Sequence, residues 1–357
     1  MNMCYHASRW IGYEIYQEER LAMLLRLCCM LLTCAFLAVA SQPLAHAALG
    51  EVKLYGIAAG PDGALWFADG ARGSIGRISV AGQVREYPLP KHLIPLGIAA
   101  GGDGNLWFTT EAPYIFGRIT PHGAIILFHI PPPTNLLVGV PYLGIYRQII
   151  AGTDGALWMI DTSAHFVLRS TTAGLTHNAY VDMAREFTGI IPGQHGAVWL
   201  VLSGTPAAIG SDYYGRDAHF YTPGPNFAPL GPIAEGGDGN LWFAEMRTNF
   251  IETFGCMTPT GTFTAYAWST SQRLTALARG SDGAVWGVAT PVQPGSDTFL
   301  RIDMRGAVTT FPLPPGTVAN EIVAGSDGGL WFTDGAHDAI GRISTRGTLV
   351  EYALPAS

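Results

Sequence analysis

Short apolar stretches separated by glycine-containing turns recur along almost the whole chain, and no long amphipathic helical pattern stands out. The repeated unit reads GIAAGxDGxLWFxD, followed by IGRI and then by a segment such as VREYPLP. Its Asp-Gly pair supplies the positive φ angles of a tight hairpin between GIAAG and LWF. The unit therefore predicts four short strands, of which the first has small residues that suit a crowded centre and the second carries a large tryptophan.

The tryptophan of this unit occurs seven times, at intervals of 41 to 51 residues. Its positions are Trp66, Trp107, Trp158, Trp199, Trp242, Trp286 and Trp331. Four strands repeated seven times at this period predict an all-β, seven-bladed β-propeller of four-stranded blades. Eight segments resemble a fourth strand, from EVKLY at the beginning to TLVEYALP at the end. Because one is surplus, we expect the two termini to share one blade and so remove an open edge from the ring.

Residues 1–47 predict an export signal, followed by a propeller of residues 48–357. Two arginines precede the 14-residue apolar run LCCMLLTCAFLAVA, and the segment LAHA, ending at Ala47, provides an Ala-x-Ala cleavage site. The run is short for a membrane span. Cleavage after Ala47 would give a periplasmic or secreted chain without a membrane span. The alternatives are an uncleaved anchor or a lipoprotein site at Cys34, and Met23 is an alternative start.

Charge and cysteine content narrow the possible partners. The chain has 27 acidic and 20 basic residues, and only two lysines follow residue 50. A nucleic-acid partner would require a basic patch, so we expect none. Four of the five cysteines lie in the leader, and Cys256 is the fifth. The predicted propeller therefore has no internal disulfide and no cysteine-based zinc site, and we expect a monomer held together by its core.

Strand direction divides the loops between the two ends of the ring. The Asp-Gly hairpins share one end, where the pattern indicates turn chemistry. The exits of the LWF strands and the entries to the next first strands share the opposite end, called here the variable end. Carboxylates that follow the LWF strands there are Asp69, Glu111, Asp161, Glu245 and Asp334. They could converge on Mg²⁺ or Ca²⁺; alternatively, each accepts hydrogen bonds from the loop of its own blade.

Candidate ligand-binding residues also lie at the variable end. The 51-residue interval contains the insertion IPPPTNLLVGVPYLGIYRQ, which we expect either to cover the channel mouth as a recognition loop or to form a surface excursion. The candidates from this insertion and from the entries to the first strands are Tyr55, Tyr142, Tyr146, Arg147 and Asn320. Glu321 and His337 are candidate catalytic residues. The arginines of the IGRI segments recur too regularly for catalysis, and we expect them to form ion pairs or to bind backbone groups within blades.

The full unit, DGxLWFTD…IGRIxxxGxxxEYxLP, resembles the repeat of the virginiamycin B lyase family over about residues 51–355. The resemblance implies a seven-bladed propeller. For active members it also implies a Mg²⁺-dependent elimination, in which the ester of a cyclic depsipeptide antibiotic is opened by removal of a proton, without water. Such chemistry needs a base, a metal ion that stabilises the developing enolate, and a positioned acid.

This chain departs from the family pattern at the residues that the resemblance makes catalytic. The family has histidines just before the first strands of blades six and seven, where this chain has Thr275 and Asn320. A family glutamate two residues before the second histidine corresponds to Val318, and a further one falls beside Asp334. The tyrosine of blade one is kept as Tyr55. Neither threonine nor asparagine can act as the base, so the residues argue against lyase activity.

Three functions therefore remain open at this point. The first is an exported, lyase-like propeller that binds a small molecule or an envelope protein at its variable end, without streptogramin lyase activity. The second is a divergent Mg²⁺- or Ca²⁺-dependent carbon–oxygen lyase or lactonase-type hydrolase. The third is a structural envelope protein. The leader favours the first, because an enzyme that protects the ribosome from an antibiotic is expected in the cytoplasm.

Overall fold

The computed structural model describes the chain in ten stretches, all within the compact unit Glu51–Ser357. These are residues 54–90, 93–131, 144–161, 166–181, 186–203, 208–213, 219–222, 227–247, 252–268 and 271–355. The predicted leader and the candidate Tyr142 lie outside these stretches. Among the described residues, no helix has the length and apolar character needed to cross a membrane.

The described residues form seven antiparallel sheets of four strands, and within every sheet the strands follow one another in chain order. The first four blades are β1 (Leu54–Ala59), β2 (Leu65–Asp69), β3 (Ser74–Ile78) and β4 (Val84–Pro88); β5 (Pro95–Ala100), β6 (Leu106–Thr110), β7 (Ile115–Ile119) and β8 (Ile125–His129); β9 (Gln148–Ala151), β10 (Leu157–Asp161), β11 (Phe166–Ser170) and β12 (Thr176–Val181); and β13 (Glu186–Pro192), β14 (Ala197–Ser203), β15 (Ala208–Tyr213) and β16 (His219–Tyr221). A 3₁₀ turn, Gln194–Gly196, joins β13 to β14.

The last three blades have the same plan. They are β17 (Phe227–Glu235), β18 (Leu241–Arg247), β19 (Glu252–Met257) and β20 (Phe263–Tyr266); β21 (Gln272–Arg279), β22 (Val285–Pro291), β23 (Thr298–Ile302) and β24 (Val308–Pro312); and β25 (Ala319–Ala324), β26 (Leu330–Asp334), β27 (Ala339–Ile343) and β28 (Leu349–Ala353). The first strands of successive blades contact one another around a closed ring, and β25 contacts β1. The prediction of a seven-bladed propeller is confirmed.

The Asp-Gly hairpins are tied to the tryptophan and arginine of their own blades. In blade one, Trp66 Nε1 donates a hydrogen bond to Asp62 Oδ1 (3.0 Å), and Arg77 Nε donates to Asp62 Oδ2 (2.7 Å). Although burial favours its neutral form, these hydrogen bonds hold the pKa of Asp62 below its usual range. The arrangement recurs in Asp103–Trp107–Arg118, Asp282–Trp286–Arg301 and Asp327–Trp331–Arg342. The expected ion pairs within blades are therefore confirmed.

Hydrophobic clusters between neighbouring blades form the core. Trp66 is fully buried, stacks on Tyr87 of its own blade with 5.5 Å between ring centroids, and shares a cluster with Phe108 of blade two. In blade five, Cys256 stands where five of the other six blades have an arginine, and it packs in the same cluster as Trp242. Burial raises the pKa of the Cys256 thiol, which fits a packing residue rather than a reactive one.

The two ends of the described chain do not share a blade, and this corrects the expectation from the sequence. Blade one contains only β1–β4, and blade seven contains only β25–β28. The described end of the EVKLY segment, Leu54 and Tyr55, belongs to the innermost strand of blade one rather than to an outer fourth strand. The apparent surplus of fourth strands therefore came from counting an inner strand as an outer one.

Side-chain contacts close the ring instead. Arg72 of blade one donates hydrogen bonds to Asp69 Oδ2, to Asp338 Oδ2 of blade seven and to the Pro355 carbonyl, each at 2.6 Å. A hydrophobic cluster that includes Leu54 and Trp331 spans the same boundary. These contacts join blades one and seven without an exchanged strand.

Candidate functional site

The first strands of all seven blades enclose a central channel with a volume of about 820 Å³. Its wall is mostly isoleucine, alanine, glycine and other small or aliphatic residues. The charged residues among its described lining are Arg147, Glu235, Arg279 and Glu321. Glu235 and Arg279 lie at the end with the Asp-Gly hairpins and pair with 3.8 Å between Oε1 and Nη1. Arg147 and Glu321 lie toward the variable end.

A β-bulge interrupts the first strand of six blades where that strand begins at the variable end. The register shifts between Leu54 and Ile57 in blade one, and between Ala319 and Ile322 in blade seven. Bulges re-aim side chains and are frequent next to functional sites. Candidates that the sequence analysis placed before the first strands, such as Asn320, are thus bulge residues within those strands that line the channel.

Gly56, the second bulge residue of blade one, lies at a crowded level of the ring. A Cβ atom on Gly56 would lie 2.9 Å from the backbone nitrogen of Ile98 in the next blade, so a side chain there would need the strands to move apart. The residues that align with Gly56 in the other blades, including blade three, which has no bulge, are Gly97, Gln148, Gly189, Pro232, Ala276 and Glu321. Only Gln148 and Glu321 have long polar side chains. No role was predicted for Gln148, although it differs from the small residues at the same position of most other repeats.

Glu321 is an acidic residue with an unusual environment. Its Oε2 accepts a hydrogen bond from the Ile57 backbone nitrogen of blade one at 3.0 Å, while the side chain is exposed to the channel. The surrounding ring of strands limits its solvation and raises its pKa from 4.5 to about 7, against the opposing effect of the Ile57 hydrogen bond. A carboxyl group that is partly protonated near neutral pH can donate or accept a proton.

Asn320 and Thr275, at the positions of the two family histidines, are engaged with the protein itself. Asn320 Nδ2 donates a hydrogen bond to the Leu54 carbonyl at 2.8 Å and so joins blade seven to blade one. Thr275 Oγ1 lies 3.4 Å from the Val288 carbonyl oxygen and 3.3 Å from Thr290 Oγ1. Both residues line the channel. Their contacts are those of structural polar residues, and neither side chain is a base.

The remaining ligand-binding candidates divide into exposed and buried residues. Arg147 is exposed and lines the channel, and its backbone nitrogen is anchored to the Ile160 carbonyl at 3.3 Å. Tyr55 also lines the channel, and its ring packs against Gly70. Tyr146 is only 2% exposed and belongs to the hydrophobic cluster between blades two and three. Its assignment as a ligand-contact residue is therefore corrected to core packing, because its neighbours in the cluster cover the ring.

Asp334 and His337 form a pair away from the channel lining. Asp334 is fully buried, and its Oδ1 accepts hydrogen bonds from the backbone nitrogens of Val318, Ala336 and His337. Its Oδ2 lies 2.7 Å from Nδ1 of His337, and this hydrogen bond raises the pKa of the exposed imidazole. The contacts of Asp334 organise the loop after β26, which matches the alternative role predicted for these carboxylates.

The other carboxylates of the variable end are also separately placed. Asp69 is fully buried against Arg72 and also accepts a hydrogen bond from the Arg72 backbone nitrogen at 2.9 Å. Asp161 is buried at the end of β10, Glu245 is buried within β18, and Glu111 is exposed. Among the described residues, no three His, Cys, Asp or Glu side chains are grouped so that they could hold a metal ion. With a guanidinium on Asp69 and four donors on Asp334, these two carboxylates are engaged within the protein.

Comparisons with known proteins agree with this architecture. A model of the virginiamycin B lyase family matches residues 46–144 and 141–357. A virginiamycin B lyase of Bordetella pertussis (strain Tohama I) is 52% identical over 40 residues, which span 11% of this chain and only 13% of that protein. A solved streptogramin B lyase has a TM-score of 0.68 at 21% identity, covering 85% of this chain and 95% of its own.

Two structures of the Staphylococcus aureus virginiamycin B lyase are also similar. Its selenomethionine-substituted form has a TM-score of 0.67 at 25% identity, covering 82% of this chain and 94% of its own. A catalytically inactive variant, solved with quinupristin, has a TM-score of 0.66 at 24% identity, covering 82% of this chain and 96% of its own. Since the family model matches the chain from residue 46 to residue 357, the protein belongs to the virginiamycin B lyase family.

Proposed function

We propose that this chain is an exported member of the family that binds a small ligand at the variable end of its central channel and has no streptogramin lyase activity. One observation carries the proposal: Thr275 and Asn320 stand at both family histidine positions, and their side chains are hydrogen-bonded to the protein. Opening the ester by elimination requires a group that removes a proton from the substrate. Neither of these side chains can do so at neutral pH.

The channel itself supports a binding role. It combines an aliphatic wall with a few polar side chains at its variable end, which is the usual composition of a small-molecule site. Outside blade three, bulges present these side chains from the inner strands, so a ligand would meet a surface that is already formed. The leader predicted from the sequence supports export, because it has the apolar run and the small residues of a cleavage site.

The direct test is incubation of the purified protein with quinupristin, with the staphylococcal lyase as positive control. Elimination gives a linear product of unchanged mass, so chromatography and tandem mass spectrometry are both needed. We expect the cyclic compound to be recovered intact. Turnover at a rate comparable to that of the control would overturn the proposal.

A second candidate function is a divergent lyase or lactonase-type hydrolase, and Glu321 favours it. A carboxyl group with a pKa of about 7 is well matched to general acid–base catalysis at neutral pH. A panel of esters and lactones would test it, because hydrolysis adds the mass of one water whereas elimination does not. Activity that is lost in Glu321→Gln would select this candidate, and no product from any member of the panel would remove it.

A further inference from the structure

Two opposite charges face the channel near its variable end without pairing with each other. Glu321 Oε2 accepts a hydrogen bond from the Ile57 backbone, but among the described residues its carboxylate has no cationic partner. Arg147 is exposed in the same channel, and within the described part of the chain its guanidinium forms no ion pair. The contrast with Glu235 and Arg279, which pair across the other end of the channel, is clear.

The position of the two residues in the ring explains why they do not pair. Arg147 belongs to the start of blade three and Glu321 to blade seven, and two blades of a seven-bladed ring cannot be further apart than this. The repeats align RQII of blade three with NEIV of blade seven, so Arg147 corresponds to Asn320, and Gln148 corresponds to Glu321. The two charges therefore lie at nearly the same level on opposite walls. The raised pKa of Glu321 agrees with this separation, because a nearby guanidinium would lower it.

We propose that the channel binds a zwitterionic ligand, with an ammonium group at one end and a carboxylate at the other, held between Glu321 and Arg147. The ammonium group would donate hydrogen bonds to the Glu321 carboxylate. The ligand carboxylate would accept two parallel hydrogen bonds from the N–H groups of the Arg147 guanidinium. Between them, the aliphatic wall would cover an apolar spacer. This inference rests on the proposed function and names the ligand class of the same channel.

A series of ω-amino acids, from β-alanine to aminooctanoate, provides the probes, with hexylamine and hexanoate as analogues that carry one charge. Isothermal titration calorimetry on the purified protein would give the affinities. We expect one chain length to bind best, because the distance between the walls is fixed. We also expect aminohexanoate or its best-binding homologue to bind about tenfold more tightly than either analogue, since hydrogen bonds to charged groups contribute this much when partly desolvated.

Two substitutions test separately the binding of the ammonium end and of the carboxylate end of the ligand. Glu321→Gln keeps an oxygen acceptor for the Ile57 nitrogen, and we expect it to weaken binding of the best ω-amino acid about tenfold while leaving hexanoate unchanged. Arg147→Gln should weaken the same ligand equally while leaving hexylamine unchanged. Arg147→Lys keeps the charge but loses the paired N–H groups, so it should restore only part of the affinity. Glu235→Gln, at the far end of the channel, is the matched control and should change nothing.

The inference is overturned if no ω-amino acid binds, if the analogues with one charge bind equally well, or if both substitutions leave the affinities unchanged. The quinupristin assay on the same preparations distinguishes this failure from failure of the proposed function. Absence of binding without turnover removes only the zwitterionic ligand, whereas turnover of quinupristin removes the proposal on which it rests.

Discussion

Glu321 should make the ligand-free protein less stable at neutral and alkaline pH, and its removal should therefore be stabilising. Folding raises the pKa of this carboxyl from 4.5 to about 7, so the folded state favours the protonated form. The resulting cost is absent below about pH 4.5, grows as the pH rises to about 7, and then remains constant. The pKa values set a ceiling of about 3 kcal/mol. Because the side chain is exposed to channel water, screening reduces the expected cost to about 1 kcal/mol.

The assay is urea unfolding of the wild type and of Glu321→Gln at pH 4.5 and at pH 8, without ligand. We expect the two proteins to differ little at pH 4.5 and the variant to be more stable by about 1 kcal/mol at pH 8. Glu235→Gln controls for loss of a charge from the channel and should show no such dependence on pH. A variant that is less stable than the wild type at pH 8, or a difference that is the same at both pH values, would refute the reasoning. A stabilising substitution at a binding residue would also fit the usual conflict between function and stability.

Three further outcomes are expected. Arg72→Gln leaves the fully buried Asp69 without its ion pair and breaks the link to Asp338, so the free energy of unfolding should fall by about 3–5 kcal/mol. Arg77→Gln is the comparison: its partner Asp62 is partly exposed, so the free energy of unfolding should fall by about 1 kcal/mol. Equal shifts of the two urea midpoints would contradict the role of Arg72 in closing the ring. Addition of Mg²⁺ or Ca²⁺ should leave Tm unchanged, because Asp69 is paired with Arg72 and Asp334 accepts hydrogen bonds from its own loop. A rise in Tm that Asp334→Ala abolishes would instead support the predicted metal site. Stability should fall as the pH drops below about 4. Burial raises the pKa values of the hairpin aspartates, but hydrogen bonds from Trp and Arg outweigh it and lower these pKa values below those of the unfolded chain. The stabilisation is therefore present above the pKa of the unfolded state and is lost as the pH falls through the pKa of the folded state, and Asp282→Asn should flatten the pH profile of Tm.

Local sequence determined the blades of this protein. An Asp-Gly hairpin, a small first strand and a tryptophan in the second strand specify a four-stranded sheet through contacts between residues close in the chain, as the bonds of Asp62 to Trp66 and Arg77 show. The number of repeats then specified seven blades, and the resemblance to the family located Thr275 and Asn320 at the positions of its two histidines. For these features the pattern was sufficient because every determining contact lies within one repeat.

Only the tertiary structure decided how the repeats meet. The closure of the ring depends on the contact between Arg72 and Asp338, which are 266 positions apart in the chain. No local sequence pattern distinguishes closure by this side-chain contact from closure by an exchanged strand. Burial likewise assigned Tyr146 to the core, although its sequence neighbour Arg147 faces the channel. The opposition of Arg147 and Glu321 arises because a closed ring brings blades three and seven to face each other across one channel. Which blades face each other depends on how the whole ring closes, and the residues within one repeat do not determine it.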